Sequence, residues 1–167
     1  MNPRPWYGTN VGAISATLGD GPTGRSNKGT RLSKPPVIAI VDDDEAIREA
    51  FSELLDVMGC SCQVFDRAEA FLAAHAPGRF DCLITDVRMP GISGIELLER
   101  LKAMGSTMPM IVVTSFDDPV SRSRALESGA HAYLTKPVND DVLLQHLKTA
   151  LPGKTIPCDE DNGSAAG

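Results

Sequence analysis

The sequence predicts an α/β domain with a doubly wound, five-stranded parallel sheet. Short apolar runs alternate five times with segments of helical periodicity, and the first run, residues 37–41, consists almost entirely of branched apolar residues. Such a run is typical of a strand that is covered on both faces, as in a parallel sheet. Five consecutive strand–helix units imply right-handed crossovers, which place helices on both sides of the sheet.

Apolar runs and their spacing define the first elements. The five predicted strands are residues 37–41, 61–65, 80–85, 110–113 and 130–135. Between the first two strands, apolar residues recur at three- and four-residue spacing from Ile47 to Met58, which predicts a helix. Gly59 ends this helix, because glycine readily adopts the left-handed conformation found after a helix. A short second helix is predicted at residues 68–75.

The last three helices have recognisable start signals. Ser93 and Glu96 form a capping-box pattern at the start of the third helix. Asp118-Pro119 places an N-cap residue before a proline at the first helical position of the fourth. Asn139 is the predicted cap of the fifth helix, which ends before Pro152 because proline cannot continue a helix.

The chain is predicted to hold one domain, residues 36–151, between a disordered arm, residues 1–35, and a flexible tail, residues 152–167. The first 36 residues contain five prolines and six glycines, a composition that buries too little apolar surface to fold. The arm contributes +4 and the tail −2 to the net charge of −6, which leaves −8 for residues 37–151. So acidic a domain is not expected to bind nucleic acid directly. Without an apolar run of about 18 residues or a secretory signal, no membrane partner and a cytoplasmic location are predicted.

Reactive side chains follow four of the five strands. They are Asp42, Asp43 and Asp44 after the first strand, Asp86 after the third, Thr114 after the fourth and Lys136 after the fifth. Ligands of doubly wound folds bind at this edge of the sheet. Crowded carboxylates repel one another, and a hard cation such as Mg2+ relieves the repulsion through oxygen ligands. We expect Asp43 and Asp86 to bind the ion, Asp42 to support it through water, and Asp44 mainly to cap the first helix.

A carboxylate beside Mg2+ can attack phosphorus and form an acyl phosphate, and Asp86 is the candidate for this role. Lys136 would neutralise charge on the phosphoryl group. Thr114 would donate to a phosphoryl oxygen, although a threonine at a strand end often satisfies only local backbone. Tyr133 is either partly buried core or a ring that turns inward when Thr114 is drawn to the phosphate. Pro137 is expected to fix the loop of the lysine, with a cis bond as one option.

Over residues 36–151 these motifs resemble the receiver domain of two-component response regulators. The matching segments, in the family's order, are Val41-Asp42-Asp43, Ile84-Thr85-Asp86-Val87-Arg88-Met89-Pro90-Gly91, Val113-Thr114-Ser115 and Tyr133-Leu134-Thr135-Lys136-Pro137. The second segment looks most like receivers of the nitrogen-fixation type, which often precede a LuxR-like DNA-binding domain.

The resemblance implies a flavodoxin-like fold with strand order 2-1-3-4-5 and phosphorylation of Asp86 by a phosphohistidine of a sensor histidine kinase or a histidine phosphotransfer protein. It implies a Mg2+ ion held by Asp43, Asp86 and the backbone carbonyl of Arg88. It also implies that Lys136 and Thr114 bind the phosphoryl group and that Tyr133 is the switch aromatic. The fourth helix, fifth strand and fifth helix would then form the surface that contacts a downstream protein target.

Several alternatives stay open at this point. Only 16 residues follow Leu151, which favours a stand-alone receiver over a fragment of a LuxR-type transcriptional regulator. Such a receiver is a signalling phosphoacceptor rather than an enzyme, limited to autophosphorylation and slow self-dephosphorylation, with Arg88 and Phe116 flanking the approach of water. An aspartyl-phosphate phosphatase would normally place a second acid two residues after its nucleophile, where Arg88 stands. A receiver-shaped module that is never phosphorylated is a further alternative, and homodimerisation on phosphorylation is left open.

Overall fold

The computed structural model describes residues 34–157. The predicted arm up to residue 33 and the predicted tail from residue 158 lie outside the described residues. Within this range the strands are β1 (Val37–Val41), β2 (Ser61–Phe65), β3 (Cys82–Asp86), β4 (Met110–Thr114) and β5 (Ala132–Thr135). The helices are α1 (Glu45–Val57), α2 (Ala68–Ala74), α3 (Gly94–Ala103), α4 (Pro119–Glu127) and α5 (Asp140–Ala150). Among these helices, none has the length and apolar content needed to cross a bilayer.

The five strands form one parallel sheet in the order β2-β1-β3-β4-β5. This order confirms the predicted doubly wound fold. The first strand lies between the second and the third, so that Ile38 pairs with Cys62 on one side and with Cys82 on the other. Because all strands run the same way, their carboxyl ends lie along one edge of the sheet.

Two strands begin two residues later than predicted. Residue 130 was expected in the fifth strand, but its N–H donates to the Ala125 carbonyl and closes the end of α4. Phe80 is buried, yet it precedes the ladder of β3, which starts at Cys82. Apolar residues just before a strand are buried by packing, and burial alone does not place their backbone in the sheet.

Alternate residues of the strands point into two separate cores. Ala39, Leu83 and Val112 pack with α2 and α3 on one face of the sheet. Their neighbours along the strands pack with α1 and α5 on the other face, in a cluster that includes Ile38, Ile40, Cys82, Ile84 and Ile111. The period of two along a strand explains this division. The sheet is therefore covered on both faces, as its nearly continuous apolar runs predicted.

Helix α4 buries fewer side chains than the other four helices. Its single buried residue is Ala125, while Val120 is 74% and Leu126 48% exposed. Its polar contacts include an exposed, two-pronged ion pair of Arg124 with Glu99 of α3, at 2.8 and 2.9 Å. Helix α4 therefore contributes little apolar surface to the core.

The packed domain extends beyond the predicted boundary at Leu151. Ile156 is 1% exposed and belongs to the core between the sheet, α1 and α5. The Lys154 Nζ lies 3.1 Å from Asp81 Oδ1, and Asp81 Oδ2 accepts a hydrogen bond from the Val37 N–H. Residues 152–157 are thus held against the amino-terminal edge of the sheet, where a flexible tail was predicted.

Candidate functional site

Three carboxylates meet at the carboxyl edge of the sheet. β1 and β3 are neighbours, with Val41 paired to Thr85, so the residues that follow these two lie side by side. One carboxylate oxygen from each of Asp42, Asp43 and Asp86 lies within 4.8 Å of the other two. Sequence reasoning placed these residues at one edge, and the structure brings them into one cluster.

Lys136 completes the cluster from the end of β5. Its Nζ lies 2.6 Å from Asp42 Oδ2 and 3.7 Å from Asp86 Oδ2. Asp42 is 3% exposed, and its other oxygen accepts a hydrogen bond from the Asp44 N–H at 2.9 Å. Both carboxylate oxygens of Asp42 therefore already have partners. The Lys136–Pro137 bond is cis.

Asp44 and Asp43 differ from Asp42 in their surroundings. The Asp44 side chain accepts from the Ala46 N–H and caps α1, which confirms the predicted capping role. Asp43 is exposed and lines a cavity of about 670 Å³ together with Asp66, Arg67, Glu69, Pro90 and Gly91. This cavity gives the acidic cluster an opening to solvent on the side of Asp43.

Asp86 is held in a partly buried, negatively charged environment. Burial is the main cause that raises its pKa, the Lys136 ammonium opposes the rise, and the Asp42 carboxylate adds to it. Its Oδ1 accepts a hydrogen bond from the Val87 N–H at 2.8 Å, while its Oδ2 faces Lys136. One oxygen is thus fixed by backbone, and the other is oriented toward the cation.

A glycine that sequence reasoning did not assign a role holds the loop after β3. The Gly94 N–H donates to the Val87 carbonyl at 3.0 Å, and a Cβ at this position would overlap the carbonyl oxygen of Asp86. The capping box of Ser93 and Glu96 is formed as predicted. Close approach of two backbones requires a residue without a side chain. Gly94 therefore allows α3 to begin directly behind Asp86.

Thr114 ends β4, and Tyr133 lies in the adjacent strand β5. The Thr114 hydroxyl donates to the Phe116 carbonyl and accepts from the Phe116 N–H, both at 3.2 Å. This is the local backbone pattern that was considered as an alternative to phosphate binding. Tyr133 is 6% exposed and packs in the core with Ala125 and Met110. Its ring thus occupies the inward orientation.

Arg88 connects two loops above the site. It lies two residues after Asp86, and its guanidinium carbon is 4.6 Å from the centroid of the Phe116 ring. This cation–π contact joins the loop after β3 to the loop after β4.

Two further arginines were not predicted as site residues. Arg48 of α1 donates from Nη1 to the Asp42 carbonyl at 2.7 Å, and Arg122 of α4 lies over the Tyr133 ring. A lone arginine on a helix carries no sequence signal that distinguishes such contacts from a solvated position.

A comparison with protein families shows to which family the chain belongs. A family model described as the response regulator receiver domain matches residues 38–148. The chain belongs to the response-regulator receiver family. The predicted resemblance is therefore confirmed, and the hypothesis of a receiver domain is favoured over that of an aspartyl-phosphate phosphatase.

Curated relatives of the receiver are regulatory proteins that are longer than the matched segment. It is 41% identical over 114 residues to the transcriptional regulatory protein FixJ of Bradyrhizobium diazoefficiens, covering 68% of this chain and 56% of FixJ. It is 37% identical over 115 residues to the response regulator protein TodT of Pseudomonas putida, covering 69% of this chain and 51% of TodT. The chain spans about half the length of the curated relatives it matches.

Solved structures support the same fold. The crystal structure of FixJ-N matches the receiver with a TM-score of 0.67 at 32% identity, covering 74% of this chain and 98% of that one. The chemotaxis protein CheY4 of Vibrio cholerae matches with a TM-score of 0.63 at 28% identity, covering 70% of this chain and 99% of that one. The flavodoxin-like architecture predicted for the receiver is confirmed.

Proposed function

We propose that the receiver accepts a phosphoryl group on Asp86 from a phosphohistidine of a sensor histidine kinase or a histidine phosphotransfer protein. The observation that carries the proposal is the meeting of three carboxylates and one partly buried ammonium at the carboxyl edge of the sheet. Asp86 lies at the end of a central strand. Its Oδ1 accepts a hydrogen bond from the Val87 N–H, which leaves Oδ2 to attack phosphorus. Asp42, by contrast, has both oxygens engaged.

Lys136 has two tasks in this proposal. Its ammonium favours the ionised form of Asp86 against the effect of burial, and an ionised carboxylate is the nucleophile. The same ammonium lies close enough to reach a phosphoryl oxygen attached to Asp86, where it would neutralise charge. Asp42 keeps the lysine in place through the 2.6 Å contact.

The cluster suits a magnesium ion. Three carboxylates face one ammonium, which leaves an excess of negative charge, and oxygen ligands are those that Mg2+ prefers. Asp43, Asp86 and the backbone carbonyl of Arg88 would hold the ion, and Asp42 would act through a water molecule. When bound, Mg2+ supplies positive charge that offsets the charge of the transferring phosphoryl group.

Thr114 is proposed to couple the phosphoryl group to the surface. Its hydroxyl would exchange the Phe116 backbone for a phosphoryl oxygen, and the loop after β4 would follow it. The surface formed by α4, β5 and α5 would then contact a downstream protein target. Exposed Phe116 and Val120 lie at the start of this surface.

The receiver is further proposed to act in the cytoplasm as a signalling phosphoacceptor whose own chemistry is limited to autophosphorylation and slow self-dephosphorylation. Arg88 and Phe116 flank the approach of water to Asp86. The contact between their side chains, with the Arg88 guanidinium carbon 4.6 Å from the centroid of the Phe116 ring, supports this arrangement.

Incubation with Mg2+ and acetyl phosphate tests the proposal. Intact mass spectrometry should detect one added phosphoryl group in the parent protein and none in Asp86→Asn. Asp43→Asn should need more Mg2+ for the same extent of labelling. Asp66→Asn is the matched control, because Asp66 is an exposed carboxylate paired with Arg67 at the rim of the cavity. Labelling that survives in Asp86→Asn would refute the assignment, and turnover of phosphomonoesters would favour the phosphatase.

A further inference from the structure

We infer that Arg122 is a positioning residue that holds the Tyr133 ring in its buried orientation and ties that ring to the loop after β4. The inference rests on the proposed function, in which this loop responds to the state of Asp86, and on the predicted role of Tyr133 as the switch aromatic. The first observation behind the inference is that the Arg122 guanidinium carbon lies 4.9 Å from the centroid of the Tyr133 ring. A planar guanidinium stacks on an aromatic face better than an ammonium does.

The same guanidinium also binds the loop. Its Nε donates to Asp117 Oδ1 at 3.3 Å and its Nη2 donates to Asp117 Oδ2 at 3.0 Å. Asp117 follows Phe116, whose backbone holds the Thr114 hydroxyl. A continuous set of contacts therefore runs from Thr114 through the loop to Arg122 and the Tyr133 ring.

The hydroxyl of Tyr133 does not fix the ring. It is buried and has no hydrogen-bond partner within the described residues. Burial raises the pKa of this hydroxyl, and the nearby Asp118 backbone opposes the rise. A buried hydroxyl without a partner favours any orientation that returns it to water. The inward ring must therefore be held by apolar packing and by contacts to its face.

Helix α4 offers little apolar packing for this purpose, because its single buried residue is Ala125. The cation–π contact of Arg122 is consequently a large share of what the helix contributes to the orientation of the ring. Because one guanidinium contacts both Asp117 and the ring, a change in the position of the loop would also change the contact on the face of Tyr133. Loss of the contact should raise the ratio of outward to inward ring about two- to fivefold, the range that an exposed cation–π contact produces.

Fluorine NMR of the receiver labelled with 3-fluorotyrosine measures this ratio. The sequence contains two tyrosines, and a Tyr7→Phe background leaves the Tyr133 resonance alone. In the absence of phosphodonor, Arg122→Ala should move this resonance toward the solvent-exposed position, and Arg122→Lys should restore it in part. Asp117→Asn should produce a smaller shift in the same direction.

Arg124→Ala is the matched control, because Arg124 forms a two-pronged ion pair from the same helix but contacts Glu99 instead of the ring. An unchanged resonance in Arg122→Ala, or an equal shift in Arg124→Ala, would overturn the inference. Labelling with acetyl phosphate is followed by mass in the same samples. A receiver that fails to accept a phosphoryl group would refute the proposed function, whereas the resonance without phosphodonor would still decide the role of Arg122.

Discussion

Replacement of Asp86 by asparagine is expected to stabilise the metal-free protein at neutral pH. Asp86 is surrounded by two carboxylates whose oxygens lie within 4.8 Å and by the Lys136 ammonium at 3.7 Å. With an effective dielectric constant of about 20 and 4.8 Å taken as the largest separation, each carboxylate repels Asp86 by at least about 3.5 kcal/mol and the lysine attracts it by about 4.5 kcal/mol. The balance opposes folding by at least about 2.5 kcal/mol, and by at least about 0.6 kcal/mol with the dielectric constant of water.

The dependence on pH follows from the pKa of Asp86, which lies above its ordinary value of 3.8 in the folded protein. Below that ordinary value the carboxyl group is protonated in both states and contributes nothing to the difference from asparagine. Between the ordinary pKa and the higher folded pKa, Asp86 is ionised in the unfolded state but still protonated in the folded state. The folded wild type therefore loses stability as the pH rises through this interval. The advantage of Asp86→Asn should therefore grow with pH and be complete near neutrality.

Urea unfolding of both proteins in EDTA, followed by circular dichroism, measures the difference. Asp66→Asn should stay within about 0.5 kcal/mol of wild type, because Asp66 and Arg67 form an exposed ion pair. Added Mg2+ should stabilise wild type more than Asp86→Asn and reduce the gap. A variant that is less stable than wild type at neutral pH without divalent ions would refute the electrostatic reasoning.

Three further substitutions test the packing of the domain, two of them near the site and one at the opposite edge of the sheet. Gly94→Ala should cost about 1–3 kcal/mol in urea unfolding and slow labelling by acetyl phosphate, because the new Cβ would overlap the Asp86 carbonyl oxygen; normal labelling would contradict this. Tyr133→Phe should unfold at the same or a higher urea concentration, since it removes a buried hydroxyl without a partner in the described chain; a clear loss of stability would show that the hydroxyl is bonded. Ile156→Ala should cost about 2 kcal/mol in thermal or urea unfolding, and an unchanged midpoint would place this residue outside the core.

The sheet and the acidic cluster were predictable because both follow from local signals. Continuous apolar runs defined the strands, and the parallel arrangement then placed the carboxyl ends of all strands at one edge. Asp42 and Asp43 follow the first strand, Asp86 ends the third and Lys136 follows the fifth, so the topology alone was enough to bring them together. Helix starts at Asp44, Ser93, Asp118 and Asn139 were equally accessible, since a cap is a local contact.

Contacts that depend on side-chain orientation were not predictable. The sequence could not decide whether the Thr114 hydroxyl binds local backbone, and nothing in it indicated that Arg122 lies over Tyr133. The burial of Ile156 depends on the path of six residues that contain Pro and Gly, a composition that suggested a flexible segment. These features arise from distances between elements far apart in the chain, which periodicity and capping patterns do not encode.

The weak apolar anchoring of α4 has a consequence for the divergence of receivers. A helix that contributes a single small residue to the core can change its outward side chains at little cost in folding free energy. Val120 and Leu126 can therefore be exchanged without disturbing the strand ends, where the phosphoryl chemistry is proposed to take place. With α4 as the proposed contact surface, the architecture would separate the part of the molecule that reacts from the part that is recognised.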